Sequence, residues 1–240
     1  MIRRIQTGAA QATVLFFALI LSCALLPPAI AAEGDTVAAA RFTSAKLVGG
    51  VPPGWVSDRK SGTMSLRIER EGQSYVLRLA SDARSSFGIK RELKVDLRQH
   101  PFLNWRWKAV RLPQGGDVRK AGTDDQALQL YVAFPPLGFP EVLQTPIIGY
   151  VWDNEAPRGW TGRSSQIGGG KLHYVVIRNK ADRIGEWHTE KRNVFEDARE
   201  LFRDLQGVGS VTHGIQIYIN SQYTESGAEG LIGDVFFSRN

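Results

Sequence analysis

Apolar and polar residues alternate with a period of two through the middle of this chain. Leu103, Trp105, Trp107 and Ala109 alternate with Asn104, Arg106 and Lys108, and Leu128, Leu130, Val132 and Phe134 alternate with Gln129 and Tyr131. Successive side chains of a strand point to opposite faces, so each segment has one face for a core and another bearing cations, amide and phenol. A polar, glycine-bearing loop joins the two. The same kind of run recurs at 65–69, 75–80, 88–95, 103–110, 127–134, 147–152, 172–178, 215–220 and 232–238, with Gly, Pro, Asn and Asp between them. Many short strands with such punctuation predict a β-sandwich or barrel.

One segment breaks the rhythm. Asn193 is a helix cap with Glu196 three residues on, and Val194, Ala198, Leu201, Phe202 and Leu205 form an apolar stripe at helical spacing. The fold expected is all-β: a jelly-roll, galactose-binding-like β-sandwich with one amphipathic helix packed on it. The domain runs over residues 33–240, with no internal repeat, long linker or low-complexity segment.

The first 32 residues have a different character. Arg3 and Arg4 precede an apolar run from Ala12 to Leu26, and Pro27-Pro28-Ala29-Ile30-Ala31-Ala32 follows. A positive start, an apolar centre and an A-x-A end predict a secretory signal peptide, and hence a periplasmic or secreted protein. The run is short for a membrane span, which takes about 20 residues. Ile20-Leu21-Ser22-Cys23 leaves a lipid anchor at Cys23 as the rival reading, and an uncleaved anchor as a third. Cys23 is the single cysteine of the chain. Removal of the leader would leave neither disulfides nor thiol chemistry. The formal charge of +6 falls to +4 without Arg3 and Arg4, and no basic block marks a nucleic-acid surface.

Familiar catalytic motifs are missing. Ser164-Ser165 and Gly168-Gly169-Gly170 make a loop without a G-x-S-x-G elbow or a phosphate-binding pattern. His100, His173, His188 and His213 lack zinc spacing, and His173 and His213 lie in or beside apolar strands as core or edge histidines. Asp117, Asp124 and Asp125 on one loop, with Asp153, Asn154 and Glu155 on another, offer oxygens to a Ca²⁺ ion, which takes roughly six to eight. With no contiguous calcium loop, turn capping or pairing of Asp124 or Asp125 with Arg106 or Arg119 outweighs that reading. No cofactor is expected, with Ca²⁺ the weak exception.

The segments PPGW, LRLASDARSSFG and DLRQHPFLNWRWKAVRLPQGGDVRKAGTDDQALQLYVAFP resemble the bacterial domain-of-unknown-function family 3047. So do IGYVWDNEAP, TEKRNVFEDARELF and INSQYTESGAEGLIGDVFF, and the likeness spans Phe42 to Phe237. It implies an exported protein and carries no activity. PPGW and the closing IGDVFF strand are also similar to galactose-binding-type sandwiches, an analogy of fold.

The ligand-binding face expected from alternation carries Arg106, Lys108, Gln129, Tyr131, Tyr218 and Asn220, while Asp124, Asp125, Trp152 and Asn154 rim it. Aromatic rings stack on sugars, and amides and cations bond to hydroxyls or carboxylates. The function expected is non-catalytic binding of a carbohydrate or similar polar envelope ligand. A saccharide-acting enzyme with Asp125 among its acids, paired with Asp153 or Glu155, is the alternative. A structural or assembly factor using the face for a protein partner is the third. Trp105 and Trp107 belong to the core by phase, and Trp55, placed after Pro52-Pro53-Gly54, as a plug for one end of the sandwich, whereas Trp160 and Trp187 are left open by their glycine- and charge-rich surroundings.

Overall fold

The computed structural model describes residues 34–44, 46–166 and 171–240. The expected signal peptide lies outside the described residues. Among them no helix is long and apolar enough to cross a membrane.

Two sheets stack face to face. One contains β1 (Thr36–Ala40), β3 (Leu66–Glu71), β4 (Ser74–Ser81), β6 (Phe102–Arg111), β11 (His188–Asn193) and β13 (Ala228–Ser238). Its order is β11-β6-β13-β4-β3, with β1 paired to the far half of β13. The other contains β2 (Val56–Ser61), β5 (Ser86–Glu92), β7 (Leu128–Ala133), β8 (Ile147–Trp152), β9 (Thr161–Arg163), β10 (Leu172–Arg178) and β12 (Gly214–Asn220). Its order is β2-β5-β12-β7-β8-β10-β9. All neighbours are antiparallel except β8 and β10. This is the expected β-sandwich.

The alternation holds strand by strand. Leu103, Trp105, Trp107 and Ala109 of β6 are buried between the sheets with Leu128, Leu130 and Val132 of β7 and Ile215, Ile217 and Ile219 of β12. The centre is aromatic. Trp105 meets Trp107 edge-on at 5.4 Å between ring centroids, and lies 5.4 Å from Tyr150 of β8. Trp107 lies 5.7 Å from Trp152. These rings bury a large area, and three of the four also find polar partners, the buried Trp105 indole nitrogen having none. Trp107 donates to Glu190 at 3.1 Å, Trp152 to the Asn179 carbonyl at 3.2 Å, and the Tyr150 hydroxyl to Asp197 at 2.7 Å.

Helix α2 (Val194–Leu201) follows β11 directly, and the Asn193 side chain accepts from the Glu196 amide at 3.1 Å as its spacing predicts. Val194, Ala198 and Phe202 enter the core. Arg192 pairs with Asp197, tying the helix to β11 and, through Tyr150, to the core. A four-residue helix, α1 (Glu141–Gln144), and a 3₁₀ turn at Ala121–Thr123 were not anticipated.

Strands β1, β2, β9 and β11 were also missed, because their sequences carry little alternation of apolar with polar residues. In β11 the residues on the ladder face are polar for a reason: Glu190 serves both the Trp107 indole and Arg178, and Arg192 serves Asp197.

Trp107→Ala should cost about 3–5 kcal/mol, since it opens a cavity beside Trp152 and removes one of the two partners of Glu190. At roughly 2–4 °C per kcal/mol that lowers Tm by about 10 °C in calorimetry. Trp187→Ala, which removes a surface ring instead, should cost about 1 kcal/mol or less. Equal losses in the two variants would contradict this core.

Candidate functional site

A groove of about 590 Å³ crosses the outer face of the seven-stranded sheet. Its floor is set by which residues of β5, β12, β7, β8 and β10 point away from the core. Tyr218, Tyr131 and Tyr174 share that outward face and form a cluster separate from the main core. Tyr131 stacks on Tyr218 at 6.3 Å, with the planes 16° apart, and lies 6.4 Å from Tyr174.

Glycines make this row fit. Gly149 is the cross-strand partner of both Tyr131 and Tyr174, and a Cβ there would stand 2.8 Å and 3.0 Å from their rings. Gly88 is opposite Tyr218, and its Cβ would stand 2.4 Å from that ring and 2.2 Å from the Ile217 carbonyl oxygen. A strand glycine thus marks the close approach of an aromatic side chain. Trp160 lies over Gly162 in the same way at the β9 end, where it packs on this cluster. Tyr131, Tyr174 and Tyr218 are only 7 %, 4 % and 2 % exposed, so they pave the floor tightly.

Polar groups interleave with the rings. The Tyr131 hydroxyl donates to Gln129, and Gln129 donates to Gln126 at 2.5 Å. Gln126 donates in turn to Asp124 at 2.9 Å and to Asp153 at 3.4 Å. Tyr174 donates to Asp124 at 3.4 Å, the Tyr218 and Ser86 hydroxyls meet at 3.1 Å, and Gln216 donates to Asp58 at 2.6 Å. At the rim Tyr223 reaches Gln166 at 3.2 Å. Burial pushes the Tyr131 and Tyr174 phenols far above their ordinary value, so they remain neutral donors.

The carboxylates divide by environment. Burial raises Asp124 to about 6 despite its bonds from Gln126 and Tyr174, and raises Asp153 to about 6 despite amide bonds from Ala156 and Val118. The Arg119 guanidinium holds Asp117 down at about 2. Asp125 accepts from the Tyr223 and Thr224 amides at 2.9 Å and 2.6 Å, clamping that loop, and burial raises its pKa. Glu155 pairs with Lys180. Asp124 and Asp153 share the Gln126 amide, and no group of three or more metal-ligating side chains suited to an ion exists among the described residues.

The structure brings together only part of the expected face. Gln129, Tyr131, Tyr218, Asn220 and Asp124 line the groove. Arg106 and Lys108 belong to β6, in the other sheet, so they point away from the opposite side of the sandwich. There Trp187 takes both cations on its ring, at 4.6 Å and 5.1 Å, and donates to Glu71 at 2.8 Å. Trp152 is core, not rim, because β8 sends Tyr150 and Trp152 inward and leaves Gly149 and Val151 outside. Asn154 donates to the Pro113 carbonyl at 2.8 Å as a loop latch, and Asp125 is the clamp described above. Neither lines the groove.

Sequence reasoning missed Tyr174, Lys60, Lys171 and the paving glycines. In the run of Tyr174, Val175, Val176 and Ile177 both faces are apolar, which hides the phase. The available signal was the recurrence of one glycine in each of β5 and β8, two strands otherwise rich in large side chains.

The molecule is thus a two-sheet β-sandwich protein with an aromatic groove on one outer face. It belongs to the family described as "Protein of unknown function (DUF3047)", whose family model matches residues 55–236. No curated protein matches the chain. Among solved structures it is similar to the family 11 carbohydrate-binding module from Clostridium thermocellum in complex with a β-1,3-1,4-mixed-linked tetrasaccharide. Identity is 9 %, coverage is 85 % of this chain and 95 % of that one, and the TM-score is 0.46. The xyloglucanase domain of NopAA, a type three effector from Sinorhizobium fredii, in complex with cellobiose, matches at 9 % identity. It covers 77 % of this chain and 91 % of that one, with a TM-score of 0.42.

Asp124→Asn tests the groove electrostatics through stability. A carboxyl whose pKa is raised on folding holds its proton better folded than unfolded, so it weakens the fold as pH rises through the interval from its ordinary 3.8 to about 6. The Asn variant should therefore match wild type near pH 4 and exceed it at pH 7, by up to about 3 kcal/mol for a shift of roughly two units. Calorimetry across that range checks it, and a difference that does not change with pH contradicts it.

Proposed function

We propose that this protein is an exported, non-catalytic binding protein whose groove takes a saccharide of the cell envelope. The observation that carries this reading is the Tyr218–Tyr131–Tyr174 row paved over glycines and interleaved with amide, hydroxyl and carboxylate groups. Sugars present apolar C–H faces and rings of hydroxyls, and such a surface answers both: rings for the faces, Gln129, Gln216, Ser86 and Asn220 for the hydroxyls. The length of the groove supports an oligosaccharide. From β2 to β10 it spans five strand spacings, about 24 Å at roughly 4.8 Å per strand. Export rests on the N-terminal pattern alone, a cationic start before an apolar run and an A-x-A end.

One observation favours an enzymatic reading in second place. Asp124, a carboxylic acid at about 6 within the groove, has the pKa a general acid needs near neutrality. In that reading Asp124, not Asp125, carries the chemistry.

Thermal shift of the purified protein against a panel of envelope saccharides tests the main proposal. A saccharide at about 100 times its Kd should add about 2.7 kcal/mol, seen as several degrees. Tyr131→Ala and Tyr174→Ala should abolish that shift while keeping a cooperative melt. Gly149→Ala should weaken it as well, because the added methyl displaces both rings. Saccharide shifts that survive in all three variants would place binding elsewhere. Release of reducing ends by wild type, lost in Asp124→Asn, would move the assignment to the enzymatic reading.

A further inference from the structure

We propose that the saccharide taken by the groove is anionic, a glycan chain whose carboxylate or sulfate groups are met by Lys60 and Lys171. This inference rests on the saccharide reading of the same groove and narrows it to a chemical class.

Lys60 stands on β2, the edge strand at one side of the groove, with its ammonium 5.3 Å from the centre of the Tyr218 ring. Lys171 immediately precedes β10 on the other side, where its carbonyl accepts from the Ile147 amide. Among the described residues neither ammonium has a carboxylate within 4.0 Å, and nor has Arg91, a further cation of the groove lining, whose guanidinium lies over the Trp55 ring. Lys90 alone of the lining cations is paired among the described residues, with Asp58. The groove therefore carries a lysine without a carboxylate partner at each end of its tyrosine row.

The acids of the groove do not neutralise that arrangement. Asp58 is occupied by Lys90 and Gln216, and Asp124 is buried beneath Gln126 and Tyr174. Glu92 lies at the end of β5, with no ion-pair partner among the described residues. A neutral sugar would leave both ammonium groups unanswered. An anionic chain crossing five strands would place charge against each while its ring faces lie on the tyrosines. Rim cations of this kind, on a chain of formal charge +6, or +4 without Arg3 and Arg4, also raise the rate at which a polyanion arrives.

The test uses the whole protein with polygalacturonate, alginate and heparin, their carboxyl-reduced or desulfated forms, and a neutral mixed-linkage glucan. Kd is measured by isothermal titration calorimetry for wild type, Lys60→Ala and Lys171→Ala. An unchanged Tm first shows that the exposed-rim variants fold. The proposal expects binding to at least one charged chain, lost when that chain is neutralised. Each variant should weaken it about fivefold, and the double variant about twentyfold. Raising NaCl from about 50 to about 500 mM should weaken it about tenfold as screening shortens. Heparin alone binding would assign sulfate, and the uronates alone would assign carboxylate. Equal binding to charged and neutral chains, indifferent to salt, would overturn the anionic inference and leave the saccharide reading standing. Absence of binding to every chain would overturn both.

Discussion

Everything on the outer face depends on how four aromatic rings interlock inside. Trp105 and Trp107 reach from β6 across the sandwich to Tyr150 and Trp152 of β8. A strand has only two phases, and a slip of one residue exchanges its faces completely. With Tyr150 and Trp152 held inward, Gly149 has to face outward. That leaves, in the middle of the sheet, a position without a Cβ, across which the rings of Tyr131 and Tyr174 meet. The core packing and the groove floor are therefore two sides of one register, fixed by rings too large to be accommodated in the other phase.

The polar side of the groove is ordered by a second constraint, the cost of burying hydrogen-bonding groups without partners. Tyr131, Gln129, Gln126 and Asp124 satisfy one another in sequence, and Asp153 closes the chain of bonds below them. A network satisfied in this way is rigid, since moving one member orphans the next. Its energetic weak point is Asp124. Burial there disfavours the ionised form, as it does at Asp153 and, against its amide bonds, at Asp125. Asp117 has Arg119, and Asp125 has two backbone amides.

The two outer faces have opposite characters although their sequences look alike. On the six-stranded sheet, Arg106 and Lys108 are closed off by Trp187 and Glu71, so the cations have partners and the surface is complete. On the seven-stranded sheet the tyrosines, themselves almost wholly buried, line a groove together with Lys60 and Lys171.

Alternation along the chain settled most of the architecture. It is a local property, and it located the strands of the core, their inward residues, the cap at Asn193 and the outward placement of Gln129, Tyr131, Tyr218 and Asn220. It failed at β2, β9 and β11, where few side chains on either face are apolar. It also failed at β8 and β10, where both faces are apolar and the phase of Trp152 and Tyr174 does not show. What no local pattern contains is sheet membership. Arg106 and Tyr131 share a phase in adjoining strands of the sequence, yet β6 and β7 lie in different sheets, so their outward faces point in opposite directions. That assignment comes from which strands pair over long separations, β6 with β13 and β11, and β7 with β12 and β8. The sequence by itself determined which residues face inward or outward on most strands. Only the tertiary structure decided which outward residues share a face, because facing is set residue by residue and pairing is set by the whole chain.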